Sequence, residues 1–78
     1  NLNDVFVYPN PSSGTINVKT PVDVQRINIY DALGKLVYTK ENKTHTNEHT
    51  IILLNNGLYY LSAYVDNEII SKKVTIQK

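Results

Sequence analysis

The chain has 78 residues, eight basic and seven acidic, with a formal net charge of +1 and no cysteine. That length provides one small hydrophobic core, and it argues against a second domain or an enzyme with an enclosed active site. The lack of cysteine excludes disulfides and thiolate chemistry, and the scattered charges argue against nucleic acid as a partner. The longest apolar runs have four residues, against the roughly 20 that a membrane-spanning helix needs.

Two strands separated by a proline-rich turn are predicted at the start of the chain. The first is the apolar run Val5 to Tyr8, which ends at Pro9-Asn10-Pro11-Ser12-Ser13-Gly14. Proline lacks the amide that a β-ladder needs and glycine can adopt positive φ, so this segment is predicted to turn. The second strand, Thr15 to Lys19, alternates polar and apolar residues and places Ile16 and Val18 on one face.

A hairpin is predicted next. Apolar and polar residues alternate from Gln25 to Tyr30, which indicates a half-buried strand. The segment Asp31-Ala32-Leu33-Gly34 supplies an aspartate that can bond nearby amides and a glycine suited to the left-handed position of a bulged turn. Lys35 to Lys40 is the predicted returning strand.

The polar stretch from Glu41 to His49 is predicted to be a solvated loop before a fifth strand at Thr50 to Leu54. It contains His45-Thr46-Asn47-Glu48-His49, which matches the H-x-x-E-H pattern of inverted zinc peptidases. That chemistry needs a helix, because on an extended strand the two histidines would lie about 13 Å apart. The surrounding residues do not favour a helix, and no nucleophile elbow occurs, so we predict no catalytic residue, metal ion or cofactor.

The last two strands are predicted at Leu58 to Val65 and at Glu68 to Gln77, joined by a two-residue turn at Asp66-Asn67. Odd-numbered residues of the first are expected to face the core. Tyr59 is placed to bond its hydroxyl back to the preceding loop, as in a tyrosine corner. In the last strand Lys72 shares a face with apolar residues, which predicts either a bulge or a lysine whose stem covers apolar surface.

Seven short strands with turn signals every eight to twelve residues predict an all-β fold. We expect residues 1–78 to form one domain, a compact seven-stranded immunoglobulin-like antiparallel sandwich without the disulfide of antibody domains. A small barrel is the alternative fold.

Four motifs occur along the chain in an order that is typical of a known family. They are Tyr8-Pro9-Asn10-Pro11-Ser12-Ser13-Gly14, then Ile27 to Asp31 leading to Gly34-Lys35-Leu36-Val37, then Gly57-Leu58-Tyr59-Tyr60-Leu61, and finally Lys72-Lys73-Val74-Thr75-Ile76 with Lys78. Together they resemble the type A C-terminal sorting domains of the type IX (Por) secretion system of Bacteroidetes. The similarity runs over almost the whole chain, with a compressed approach to Gly57 as the one departure.

The resemblance implies a non-catalytic sorting signal that forms the last module of a larger secreted protein, with cargo domains fused upstream. In this family an outer-membrane type IX translocon recognises the folded domain in the periplasm. A sortase-like peptidase commonly removes it, and the cargo is secreted or held at the cell surface. The recognition residues implied are Pro9, Asn10, Pro11, Gly34, Lys35, Gly57, Tyr59, Lys72, Lys73 and Lys78.

Two other interpretations rest on the residues themselves. Tyr60 and Tyr64 share the outward face of their strand, where tyrosine rings could stack on sugars, so a glycan-binding or spacer module of an extracellular protein is the alternative function. The final strand is also expected to lie at a sheet edge, where a weak edge-strand dimer can form.

Overall fold

A computed structural model describes residues 5–20, 24–53, 55–65 and 68–78. Within them the chain forms seven strands, as the alternation of apolar residues predicts. They are β1 (Phe6–Tyr8), β2 (Thr15–Lys19), β3 (Val24–Asp31), β4 (Leu36–Glu41), β5 (Glu48–Ile52), β6 (Gly57–Val65) and β7 (Glu68–Ile76).

The strands form two antiparallel sheets that pack face to face. The smaller sheet has the order β1-β2-β5 and the larger has the order β4-β3-β6-β7. This arrangement confirms the predicted all-β sandwich. Among the described residues, no helix is long and apolar enough to cross a membrane.

The core lies between the two sheets and follows the period of two along each strand. In β2, Ile16 and Val18 are buried, and the odd-numbered residues of β6 point inward, as predicted. Each fully buried Ile, Leu or Val side chain contributes about 1.5–3 kcal/mol relative to exposure. The buried apolar side chains are Val5, Ile16, Val18, Val24, Ile27, Ile29, Ile51, Leu53, Tyr59, Leu61, Ala63, Val65, Val74 and Ile76.

The predicted bounds of the fifth strand are wrong. The strand starts at Glu48, within the predicted loop, and it ends at Ile52. His49 is 2% exposed and Asn42 is 8% exposed, so the prediction of a solvated loop fails for both residues. The period of two continues through β5 with a histidine at a core position and an exposed isoleucine, Ile52, at an outward one. Leu54 and the Asp66-Asn67 turn lie outside the described residues.

The β3–β4 turn has the predicted bulged form. Gly34 adopts a φ of +88°, and the pairing register shifts between Ile29 and Tyr30. The Asp31 carboxylate accepts hydrogen bonds from the backbone amides of Leu33 and Lys35, both at 2.9 Å. Since most side chains of β4 are exposed, these local bonds hold the turn where core packing is thin.

The pairing of β6 with β7 decides how Lys72 is accommodated. Their register runs continuously from Gly57 opposite Ile76 to Val65 opposite Glu68, without a bulge in these pairs. Lys72 lies opposite the buried Leu61, on the core-facing side of an edge strand, yet it is exposed. An inward-pointing charge of this kind discourages uncontrolled pairing of an edge strand.

Candidate recognition surface

The antiparallel topology gathers the four sequence motifs at one end of the sandwich. The turn before β2, the β3–β4 turn, the approach to β6 and the end of β7 all lie there, since each strand reverses the chain direction. Hydrogen bonds and a shared groove connect these segments. We call this surface the motif end, and it comprises residues 8–14, 31–35, 53, 55–59 and 73–78.

The Pro9-Asn10-Pro11 segment lies along the outer side of β7. Both of its X-Pro peptide bonds are cis. The Asn10 side chain donates to the carbonyl oxygen of Lys73 at 2.9 Å and accepts from the amide of Thr75 at 3.0 Å. One asparagine amide thereby satisfies two backbone groups of the edge strand, across 63 and 65 residues of chain.

Ser12 forms further hydrogen bonds with the outer side of β7 and also with the residues that lead into β2. Its amide donates to the Thr75 carbonyl at 2.9 Å and its carbonyl accepts from the Gln77 amide at 2.7 Å, which makes a short parallel bridge beside Ile76. Its hydroxyl donates to the Thr15 carbonyl at 2.7 Å and accepts from the Gly14 amide at 3.1 Å. Ser12 therefore joins the edge of the larger sheet to the start of β2.

Gly14 brings the backbone of the smaller sheet close to the C-terminal segment. Its carbonyl accepts the Leu53 amide at 2.7 Å, and its φ is +131°. A Cβ at this position would lie 3.2 Å from Cε of Lys78 and 3.3 Å from the Leu53 carbonyl oxygen. Glycine is favoured here by its conformation, and a Cβ would make tight contacts with both atoms.

The approach to β6 is fixed by the predicted tyrosine corner. The Tyr59 hydroxyl donates to the Asn55 carbonyl at 2.7 Å while its ring is buried in the core. The neighbouring Asn56 accepts the Lys78 amide at 3.0 Å through its side-chain oxygen. The short link before Gly57 is thus tied both to the core and to the end of the chain.

Replacing Tyr59 by phenylalanine is expected to lower the free energy of unfolding by about 1–2 kcal/mol, because the partly buried Asn55 carbonyl loses its donor. Urea denaturation measures the change. Tyr60→Phe on the exposed side of the same strand is the control and should stay within about 0.5 kcal/mol of the parent. Equal effects of the two substitutions would contradict the tyrosine corner.

A groove of about 500 Å³ separates the β3–β4 turn from the approach to β6. Its lining includes the exposed apolar side chains of Leu33, Val37 and Ile52, with Asn55 and Asn56 among its polar residues. Lys35, on the neighbouring turn, is exposed. The motif end therefore combines an apolar recess with basic side chains.

Nine of the ten recognition residues expected from the sequence are exposed, and Tyr59 is buried. The structure brings together Pro9, Asn10, Pro11, Gly34, Lys35, Gly57, Tyr59, Lys73 and Lys78 at the motif end. Lys72 lies beside them on the opposite face of β7 from Lys73. Gly34 and Gly57 adopt positive φ values of +88° and +150°, so both glycines have a conformational role.

Sequence reasoning missed Ser12 and Asn56 at this end. The signal for Ser12 was present, since a serine two residues before a glycine commonly forms a side-chain turn. Asn56 carried no comparable signal, because its partner is the amide of Lys78, 22 residues away.

The opposite end holds a second polar cluster that the sequence did not indicate. Lys40 Nζ lies 3.3 Å from His49 Nδ1, and the Thr20 hydroxyl lies 3.5 Å from His49 Nε2. Burial lowers the pKa of His49, and the positive charge of Lys40 lowers it further, against an opposing backbone hydrogen bond with Thr46. His45 is exposed, and the described part of the chain contains no cluster of three or more His, Cys, Asp or Glu residues that could hold a metal ion.

The outer face of the larger sheet carries the tyrosines considered for glycan binding. Tyr60 is 43% exposed, and the guanidinium of Arg26 lies 5.6 Å from the centre of the Tyr64 ring. A hydrogen bond between Tyr30 and Tyr64 lowers the pKa of Tyr30 and raises that of Tyr64. The Tyr30 hydroxyl also accepts from Asn28 at 3.2 Å, so these polar groups bond to one another.

Comparison with known proteins supports the resemblance seen in the sequence. The family model described as "Secretion system C-terminal sorting domain" matches residues 6–77, which include all four motifs except the terminal lysine. No curated protein matches the chain. Type IX sorting domains mark proteins that pass through the periplasm of Bacteroidetes and are secreted or attached to the surface. The chain therefore belongs to the family of C-terminal sorting domains of the Por secretion system.

Proposed function

We propose that this domain is by itself sufficient to direct a folded cargo through the type IX translocon, and that the translocon contacts it at the motif end. The observation that carries this proposal is the convergence of segments up to 65 residues apart on one hydrogen-bonded surface. Since Asn10, Ser12 and Asn56 connect them, this surface forms only in the folded domain. A receptor that reads it distinguishes folded from unfolded cargo tails.

Charge favours an acidic partner at this end. Lys35 and Lys73 are exposed there, and the C-terminal Lys78 lies in the same surface. Asp31 is the acidic residue of the described motif end, and its carboxylate accepts two local amides. A locally positive surface of this kind increases the rate of association with an acidic receptor and helps to fix orientation.

The proposal includes a larger protein around the domain. Cargo domains lie upstream, the outer-membrane translocon is the receptor, and a sortase-like peptidase removes the domain after export. Sorting domains of this family are in general non-catalytic. We accordingly assign no reaction to this chain, and its role is recognition alone.

The direct test is a fusion of residues 1–78 behind a periplasm-directed fluorescent reporter. The reporter is assayed in the medium and on the surface of a type IX-competent strain and of a translocon-deficient sibling strain. We expect export in the competent strain only. Retention of a folded, intact fusion in both strains would reject sufficiency and would favour the glycan-binding or spacer module instead.

The same reporter tests the lysines. Replacing Lys72 and Lys73 together by alanine is expected to reduce export by about tenfold, which corresponds to about 1.4 kcal/mol of binding free energy. Both side chains are exposed, so thermal stability should change by less than about 0.5 kcal/mol. Lys19→Ala with Lys43→Ala makes the same charge change at the opposite end and should leave export intact. If this control loses as much export as the test variant, net charge rather than recognition is responsible.

A further inference from the structure

Only part of the outer edge of β7 is covered. Asn10 and Ser12 occupy the Lys73 carbonyl, both backbone groups of Thr75 and the Gln77 amide. In the larger sheet β7 is an edge strand, and among residues 5–20, 24–53, 55–65 and 68–78 the partners on its outer side bond to it only from Lys73 onward. Toward these residues, the preceding segment, residues 68–72, presents a free edge next to a blocked one.

Strand geometry determines which residues of this free segment direct their backbone amides and carbonyls outward. Backbone groups alternate between the two sides of a strand, and Lys73, Thr75 and Gln77 use theirs on the outer side. Ile69 and Ser71 have the same parity, so their amides and carbonyls also point outward. These are the groups that a neighbouring antiparallel strand would engage.

We propose that this free segment pairs with the same segment of a second copy of the domain, antiparallel and centred on Ile70, to join the two larger sheets. In this register Ile69 of one copy faces Ser71 of the other, and both pairs exchange two backbone hydrogen bonds. The segment is five residues long on each copy, because β7 begins at Glu68 and Asn10 blocks the edge from Lys73. A pairing centred on Ile70 uses all five.

Charge complementarity identifies a second copy as the partner. With Ile70 at the centre, Glu68 of each copy lies directly opposite Lys72 of the other, in a pair that does not exchange backbone bonds and brings side chains close. Within one copy these residues are four apart on an extended strand, about 13 Å, and do not meet. Two opposite-charge pairs therefore flank a central contact between two half-buried Ile70 side chains.

The proposal is tested by reversing charges and measuring self-association by sedimentation equilibrium at protein concentrations up to about 1 mM. Glu68→Lys alone and Lys72→Glu alone each place like charges at both positions and should weaken the dimer by about tenfold. The double variant Glu68→Lys, Lys72→Glu should dimerise like the parent. An equimolar mixture of the two single variants should form a heterodimer, because opposite charges then meet at both positions.

Lys43→Glu, on an exposed loop residue, is the matched control and should leave the dimer unchanged. Thermal unfolding of each variant verifies that it is folded, which is expected because both substituted side chains are exposed. The proposal is overturned if the parent remains monomeric at the highest concentration. It is equally overturned if the single variants dimerise as the parent does, or if their mixture fails to associate, since the contact then lies elsewhere.

Discussion

Gly14→Ala is expected to lower the free energy of unfolding by about 2–4 kcal/mol, a large share of the stability of so small a domain. The positive φ of +131° is strained for any residue with a side chain. The added Cβ would also lie 3.3 Å from the Leu53 carbonyl oxygen, whose backbone is held by the bond between the Leu53 amide and the Gly14 carbonyl. Urea denaturation of the isolated domain measures the loss.

Gly34→Ala tests the effect of a positive φ in the absence of a close contact. Gly34 also has positive φ, at +88°, but a Cβ there would meet no atom within 4 Å. Gly34→Ala should therefore lower the free energy of unfolding by about 1–2 kcal/mol, through backbone conformation alone. If Gly14→Ala costs no more than Gly34→Ala, close approach of the backbone at the motif end does not contribute to stability.

Acidification is expected to destabilise the domain through His49. Burial and the neighbouring Lys40 lower the pKa of His49 in the folded state, so the unfolded chain, with an ordinary pKa of about 6.5, binds the proton more readily. Stability is therefore complete above about pH 6.5 and is lost as the pH falls from there through the folded-state pKa. One proton gives a slope of at most about 1.4 kcal/mol per pH unit.

The contribution of His49 is isolated by comparing variants between pH 7.5 and 5. His49→Gln should remove most of the pH dependence in this window, whatever its effect on stability at pH 7.5. His45→Gln changes the exposed histidine of the preceding turn and should keep the slope of the parent. A parent whose stability is unchanged across this range would contradict the burial of His49 as a neutral ring.

Local features of the fold can be predicted from the sequence where the chemistry of one residue type strongly favours one local structure. Gly34 and Asp31 specify a bulged turn by conformation and by local hydrogen bonding. Tyr59 specifies a hydroxyl bond to the loop just before it. Such interactions span two to four residues, so the sequence contains both partners side by side.

The fifth strand shows why apolar alternation alone was insufficient. His49 occupies a core position because Thr20 and Lys40 lie near its ring nitrogens, and neither is close to it in sequence. Ile52, in contrast, is 66% exposed. Because His49 points inward and Ile52 points outward, the pattern of apolar residues did not predict the bounds of this strand correctly.

The motif end was predictable as a set of motifs but not as an arrangement. The proline-rich segment was expected to turn, yet nothing local shows that Asn10 would lie against Lys73 and Thr75. That contact depends on the packing of both sheets. The direct test of the surface remains the export reporter.

The bond between Asn10 and Lys73 can form only after the ribosome has synthesised Lys73. Asn10 is synthesised 63 residues earlier than Lys73, so the side-chain amide of Asn10 lacks this hydrogen-bond acceptor until β7 has been made. A polypeptide terminated before Lys73 has the first three motifs but cannot assemble the end that unites them. A translocon that reads the assembled surface would consequently reject chains whose synthesis stopped before this strand, so the same surface would also report that synthesis has passed Lys73.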